Sequence, residues 1–250
     1  ETIVLPILHG QGGEDGSLQA ELEKRNLAFL GSGSHSSADC FDKWQTLLKL
    51  KTAGIPTAEG ALVTEQTYSN HPLASKPHVL KVLRGGSSIG TLIVRSPGNV
   101  DPQEVQKLFE LDNEAVVEEL IDGVEITVPI LDNSALPAIE IRPPEGKEFD
   151  YENKYNGQSA ELCPPPSLNQ HQIAKAGEIA EQVHKTMKCR HFSRVDIMMR
   201  LDSSFVVLEI NTIPGMTDQS LYPKSAAVAG LPMPELIKKL VELIKRDYSI

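Results

Sequence analysis

Two short apolar runs near the end of the chain carry acids where burial should forbid them. "RVDIMMR" (Arg194–Arg200) and "FVVLEIN" (Phe205–Asn211) flank "LDSS", so they are expected to form a hairpin. If the strands pair about Asp202 and Ser203, opposed residues have numbers that sum to about 405. Asp196 then faces Glu209, and Arg194 faces Asn211. Side chains alternate along a strand, so all four share one face. Two carboxylates and an amide oxygen at cross-strand distance repel unless a cation sits among them. Few, hard oxygen ligands of this kind suit Mg²⁺ held together with phosphates. Otherwise the four simply make the solvated face of an ordinary hairpin.

The rest of the chain gives that face a setting. Its 250 residues are 40% hydrophobic, enough for a real core, in one large domain or two to three small ones. A formal charge of −10 disfavours nucleic acid or an anionic membrane as partner. No apolar run approaches the ~18–20 residues of a membrane span. The start, "ETIVLPILHG", has no basic segment or small-residue cleavage site, so no signal peptide is expected. Cys40, Cys163 and Cys189 lack metal-like spacing and read as reduced packing thiols of a cytoplasmic protein.

"TIVLPIL", the glycine-rich "HGQGGEDGS", "LQAELEKRN" and "LAFLGSG" read as a βαβ-like fragment. Ser37–Gly54 reads as one helix, with Asp39 able to cap it and Gly54 to end it. "PHVLKVLRGGSSIGTLIV" reads as strand, glycine loop, strand. "DPQEVQKLFEL" is a helix with Asp101 at the N-cap and Pro102 at N1. "AVVEELI" and "VEITVPIL" read as strands around an Asp122-Gly123 turn. Ile141–Pro166 is long, polar and proline-bounded, as functional loops often are. Two amphipathic helices, "SLNQHQIAKAGEIAEQVHKTMK" and "MPELIKKLVELIKRDYSI", complete an α/β or α+β chain of two or three subdomains.

Two further features could meet a nucleotide. Lys81 precedes Gly85, Gly86, Ser87, Ser88 and Gly90, where backbone N–H groups can approach an anion. No helix follows, so this is neither a Walker loop nor a Rossmann fingerprint, and a plain hairpin loop fits as well. Glu118, Glu119 and Glu125 around "LIDG" could accept from an adenine amine or ribose hydroxyls, or could be surface acids.

Taken together, "HGQGGEDGSLQAELE", "DKWQTLLKLKTAGIP", "GSSIGT", "FDYENKY", "RVDIM" and "LEINTIPGMTDQSLYPK" resemble the D-alanine–D-alanine ligases of the ATP-grasp superfamily. The motifs run in the family's order from His9 to Pro223. The resemblance implies an ATP-grasp fold: a partial N-terminal unit (1–42), a central subdomain (43–118) and a C-terminal subdomain (119–250), with a lid over 141–166. It implies that Lys43 and Lys81 reach ATP phosphates under a loop bearing Ser87 and Ser88. Glu118, the backbone at Leu120 and Ile121, and Glu125 would hold adenine and ribose. Asp196, Glu209 and Asn211 would bind two Mg²⁺, with Mn²⁺ as a substitute. Lys154 would meet the γ-phosphate and Tyr155 the first amino acid. Arg194 and the backbone at Gly215 would form the oxyanion site, His9 would join the catalytic residues, and Ser220 and Leu221 would receive the second D-alanine. The implied product is the dipeptide for peptidoglycan precursors, made in the cytoplasm by a homodimer.

Two departures qualify the resemblance. The family normally has a further N-terminal stretch, carrying a glutamate that bonds to the residues matching Ser87 and Tyr155. Its absence predicts an incomplete first amino-acid subsite. Val82 also stands where relatives usually have proline after the lysine. Tyr155 favours the dipeptide over the D-alanyl-D-lactate ester.

Overall fold

The structure is a computed structural model, and it describes residues 2–85, 90–142 and 159–250. Strand β1 (Ile3–Val4) pairs in parallel with β2 (Ala28–Phe29), and helix α1 (Ser17–Lys24) makes the crossover. The expected βαβ unit is present, but β1 is only two residues long. Helix α2 (Ser34–Phe41) follows, then α3 (Lys43–Thr52).

The single helix expected over Ser37–Gly54 is therefore two. Asp42 breaks it with extended backbone and caps α3, its carboxylate accepting from the Gln45 N–H at 2.9 Å. The break has a tertiary cause. Asp42 forms a β-bridge with Arg84, and the Lys43 N–H donates to the Leu83 carbonyl. Asp39, the expected cap, instead meets Lys49 in an ion pair.

A four-stranded antiparallel sheet comes next: β3 (Gly60–Thr64), β4 (His78–Val82), β5 (Thr91–Val94) and β6 (Glu114–Glu119), in the order β3-β6-β4-β5. The one-turn α4 (Glu65–Tyr68) follows β3. Helix α5 (Pro102–Leu111) starts at Asp101, whose side chain accepts from the Gln103 N–H, as the sequence predicts. Tyr68, Leu73, Leu80, Leu108 and Phe109 pack into the core of this unit.

The second sheet holds β7 (Gly123–Leu131), β8 (Ser134–Ala135), β9 (Ile139–Arg142), β10 (Ala160–Leu162), β11 (Phe192–Arg200) and β12 (Phe205–Asn211). Its main order is β10-β9-β7-β11-β12, with β8 beside β7. Helix α6 (Gln170–Thr186) covers it, opened by a reciprocal cap between Asn169 and Gln172. Helices α7 (Leu221–Val228) and α8 (Met233–Tyr248) close the chain.

The hairpin expected around Asp122-Gly123 does not form. β6 pairs with β3 and β4, whereas β7 pairs with β11, β9 and β8. Residues 120–122 carry the chain from one sheet to the other. Leu120 donates its N–H to the Pro77 carbonyl, and Ile121 buries its side chain against Ala58 and Val206. Anchored on both sides, the segment cannot turn back on itself.

Candidate functional site: a cleft between two sheets

The predicted register holds where the acids are. Arg194 opposes Asn211, Val195 opposes Ile210, and Asp196 opposes Glu209. One bulge follows: Ile197 faces Val207, leaving Leu208 unpaired, so the sum of 405 applies only on the Asn211 side. On the other flank of β11, Asp196 opposes Thr127 and Met198 opposes Glu125. Glu125, Thr127, Arg194, Asp196, Glu209 and Asn211 thus share one face of three adjacent strands.

Asp196 is the fixed point of that face. Arg194 donates to both its oxygens, at 2.9 and 2.8 Å, and the Thr127 hydroxyl donates to Oδ1 at 2.5 Å. Only 7% of Asp196 is exposed. Glu209, half-buried directly opposite, has no hydrogen bond or ion pair among the described residues. Asn211 Oδ1 accepts the Ile213 N–H at 2.8 Å, which keeps the amide oxygen on the cleft side and leaves it a second acceptor position. Two carboxylates and an oriented amide oxygen, one carboxylate without a hydrogen bond or ion pair among the described residues, are a hard-oxygen donor set that fits Mg²⁺. Among the described residues no group of three or more His, Cys, Asp or Glu is placed to hold a metal ion, so a cation on this face would need the Asn211 amide beside the two carboxylates.

Cations meet the same cleft. Lys43, at the start of α3, donates from Nζ to the Gly85 carbonyl at 2.6 Å. Burial lowers its pKa, and the Glu209 carboxylate partly offsets that. Lys81 pairs with Glu118 at 2.6 Å, both nearly buried. Burial alone would lower the Lys81 pKa, but Glu118 outweighs it and the ammonium is held charged. Glu119 turns away from any ligand: it accepts from Arg200 at 2.6 Å and from the Glu59 N–H at 3.0 Å.

The glycine-rich segment His9–Ser17 supplies a residue that sequence reasoning missed. Glu14 is 9% exposed, lines the cleft, and accepts the Gly10 N–H at 2.5 Å. Burial raises its pKa, against the pull of that N–H and of His9. An acid among glycines reads as a surface loop. The usable signal was the turn chemistry around it: Gly13 packs so tightly that a Cβ there would lie 2.0 Å from the Leu8 carbonyl oxygen. The same loop brings His9 to the cleft.

After β12 the chain folds back on itself. Ser220 Oγ accepts the Thr217 N–H at 3.1 Å, and a Cβ on Gly215 would come within 2.7 Å of that oxygen. Leu221 opens α7, and Lys224, within the same helix, pairs with Glu161 of β10 at 2.7 Å.

These walls enclose one cleft of about 810 Å³. It brings together His9, Lys43, Glu118, Glu125, Arg194, Asp196, Glu209, Asn211, Gly215, Ser220 and Leu221, all singled out from sequence. Lys81 reaches it through Glu118, while the Leu120 and Ile121 side chains are not part of its lining. Ser87, Ser88, Lys154, Tyr155 and most of the expected lid lie outside the described residues.

Known proteins resemble this chain over most of its length. The sequence profile described as "D-ala D-ala ligase C-terminus" matches residues 49–242. The D-alanine–D-alanine ligase of Mannheimia succiniciproducens is 36% identical over 248 residues, 95% of this chain and 78% of that protein. The Haemophilus influenzae ligase is 36% identical over 243 residues, 95% and 81% of the two chains. Among solved structures, the D-alanine–D-alanine ligase of Bacillus anthracis complexed with ATP superposes with a TM-score of 0.85 at 32% identity, covering 99% of this chain and 80% of that one. The Coxiella burnetii ligase gives 0.85 at 30% identity, covering 99% and 68%. The ATP-grasp fold expected from the sequence is thus the fold observed, and the chain belongs to the D-alanine–D-alanine ligase family.

Proposed function

We propose that this chain joins two D-alanines to D-alanyl-D-alanine at the expense of ATP, for peptidoglycan precursor synthesis, and that the cleft between the two sheets is where it does so. The observation that carries this reading is a single cavity lined both by the Asp196–Glu209–Asn211 face and by Lys43 and Glu118, the latter paired with Lys81.

A carboxylate is a poor electrophile, and phosphorylation converts it into an acyl phosphate that an amine can attack. Mg²⁺ held by Asp196, Glu209 and Asn211 would supply positive charge against the phosphates. Lys43, desolvated and aimed at the glycine loop by its bond to Gly85, presents a cation at the phosphate end. Lys81 stays charged because Glu118 compensates it, and Glu118 with Glu125 and the backbone at Leu120 and Ile121 receives adenine and ribose. Arg194 is held rigid by its two bonds to Asp196 and lines the cleft together with Gly215, where its positive charge would face an oxyanion. Preorganised donors of this kind are typically worth ~2.7–4 kcal/mol each. Ser220 and the N-terminus of α7 at Leu221 take the second amino acid's carboxylate. His9 and Glu14 line the same cleft, and either would serve to take the proton that the attacking ammonium must lose. Ser87, Ser88, Lys154 and Tyr155 complete the proposal as phosphate-loop and lid residues.

The division into units 1–42, 43–118 and 119–250 follows from this reading, as do a homodimer and a cytoplasmic location. The exposed Leu5, Ile7 and Leu8 support self-association, and three free thiols suit a reducing compartment. Among the described residues no helix is long and apolar enough to cross a membrane.

The test is phosphate release from ATP and Mg²⁺ with and without D-alanine, with mass detection of the dipeptide. D-alanine-dependent release with stoichiometric dipeptide is expected. Release that ignores D-alanine, or that L-alanine supports equally, would refute the assignment.

A further inference from the structure

Two of the three cysteines, far apart in sequence, meet under the cleft. Cys40 is in the last turn of α2, and Cys189 follows α6. Their sulfurs are 3.7 Å apart, and each residue is 8% exposed. Ser36, one turn before Cys40, donates to the Met187 carbonyl at 2.8 Å and lies 3.7 Å from the Cys189 sulfur, so α2 is already pinned to this segment. Cys40 also lines the cleft, whereas the third cysteine, Cys163, does not. No role in the ligation reaction accounts for a thiol pair at this place.

We infer that Cys40 and Cys189 are a site of reversible oxidation, closing to a disulfide under a hydroperoxide and deforming the cleft when they do. The two thiols share a hydrogen bond in which either sulfur can donate; it lowers the Cys189 pKa and raises that of Cys40, which makes Cys189 the first nucleophile. Its sulfur attacks one peroxide oxygen; the O–O bond breaks, the far oxygen leaves as water with the thiol proton, and Cys189 becomes a sulfenic acid. The Cys40 sulfur then attacks that sulfur. The S–O bond breaks, and the hydroxide leaves as water with the Cys40 proton. Two thiols and one hydrogen peroxide give one disulfide and two waters.

Closure couples to the cleft through the chain. The sulfurs must approach from 3.7 Å to about 2.05 Å, a movement that close-packed neighbours such as Leu50 and Ile210 cannot absorb locally. Cys40 is three residues before Lys43, with only the Asp42 break between. Drawing α2 toward Cys189 therefore pulls on Asp42 and Lys43, and on their contacts with Arg84 and Gly85.

The test uses the whole chain with Cys163→Ser, which removes the third thiol and leaves the pair. Exposure to a small excess of hydrogen peroxide should lower the intact mass by two hydrogens. Digestion should give a Cys40–Cys189 linked peptide, and dithiothreitol should restore both thiols. Cys40→Ser and Cys189→Ser should each abolish the linked peptide. ATP affinity, measured first on reduced protein, should fall at least about tenfold on oxidation and recover on reduction. Absence of the linked peptide would overturn the inference, and so would a disulfide that leaves ATP affinity unchanged. Reduced protein that binds no ATP would instead refute the nucleotide assignment, while the mass result would still decide whether the thiols pair.

Discussion

Asp196 and Glu209 face each other across one pair of strands, yet their removal should have opposite signatures. Asp196→Asn replaces a carboxylate that accepts twice from Arg194, at 2.9 and 2.8 Å, and once from Thr127. Arg194 is only 17% exposed and would keep its charge without that partner. Breaking a buried pair from one side costs about 3–5 kcal/mol. Residual solvent at Arg194 and the neighbouring Glu209 carboxylate reduce this to roughly 2–4 kcal/mol. For a chain of this size each kcal/mol moves Tm by ~2–4 °C, so a drop of roughly 4–16 °C is expected. Glu209→Gln removes a carboxylate with no partner among the described residues, and it relieves repulsion with Asp196. Its stability should stay within about 0.5 kcal/mol of the parent. Both variants should lose D-alanine-dependent turnover by at least ~100-fold, about 2.7 kcal/mol. Urea unfolding followed by circular dichroism, paired with phosphate-release assays, separates the two effects. Equal destabilisation of the two variants, or an Asp196→Asn protein as stable as the parent, would refute the view of Asp196 as the anchor of Arg194.

Acid should weaken the fold through two buried histidines. His184 bonds to Ser193 at 2.7 Å and has its Nε2 buried without a partner, while His191 accepts the Gly31 N–H through Nδ1. Burial first, then neighbouring Lys185 and Arg190 respectively, pushes each pKa down to about 4. Each imidazole is thus neutral when folded, so the unfolded chain binds more protons between about pH 6.5 and 4. Their contribution is complete above that window and is lost as pH falls through it, by about 1–3 kcal/mol each. Urea midpoints from pH 7 to 4.5 should fall less steeply in His184→Gln; parallel curves would contradict this. Gly215→Ala places a methyl group 2.7 Å from Ser220 Oγ and should raise the KM for the second D-alanine severalfold with little change in ATP affinity. An unchanged KM would detach Ser220 from the acceptor subsite.

Local signals were legible and long-range ones were not. The Arg194–Asn211 and Asp196–Glu209 pairings follow from alternation and a short turn, because both strands belong to one hairpin. The bulge has no such signal; it puts Leu208 in the cleft lining beside Glu209, while the pairings of Arg194 and Asp196 stay as alternation predicts. Asp122-Gly123 carries a valid turn signature, yet β6 and β7 part company because each finds its partners in a different sheet. Asp42 reads as mid-helix until Arg84 arrives from the other side of the glycine loop to bridge it. Glu14 stayed hidden because nothing in a run of glycines says that the loop folds inward. The distribution of site residues over the whole chain became readable only through family motifs, since no local period relates Lys43 to Glu209.

The packing of β2 has a consequence for how the polypeptide comes into being. Ala28 and Leu30 share a cluster with Leu236, Leu240, Leu243 and Ile244 of α8. Arg190 lies 4.7 Å over the Phe29 ring and 5.1 Å over that of Tyr248, and its Nε donates to the Gly31 carbonyl. During synthesis, β3 to β6 emerge as one contiguous stretch and can close their sheet as soon as they are out. The segment around Phe29 must wait some two hundred residues for the helix that covers it. Until then its apolar face is open to solvent and to other chains. A stop codon before Leu236 would therefore be felt first at residues 28–30, far upstream in the chain.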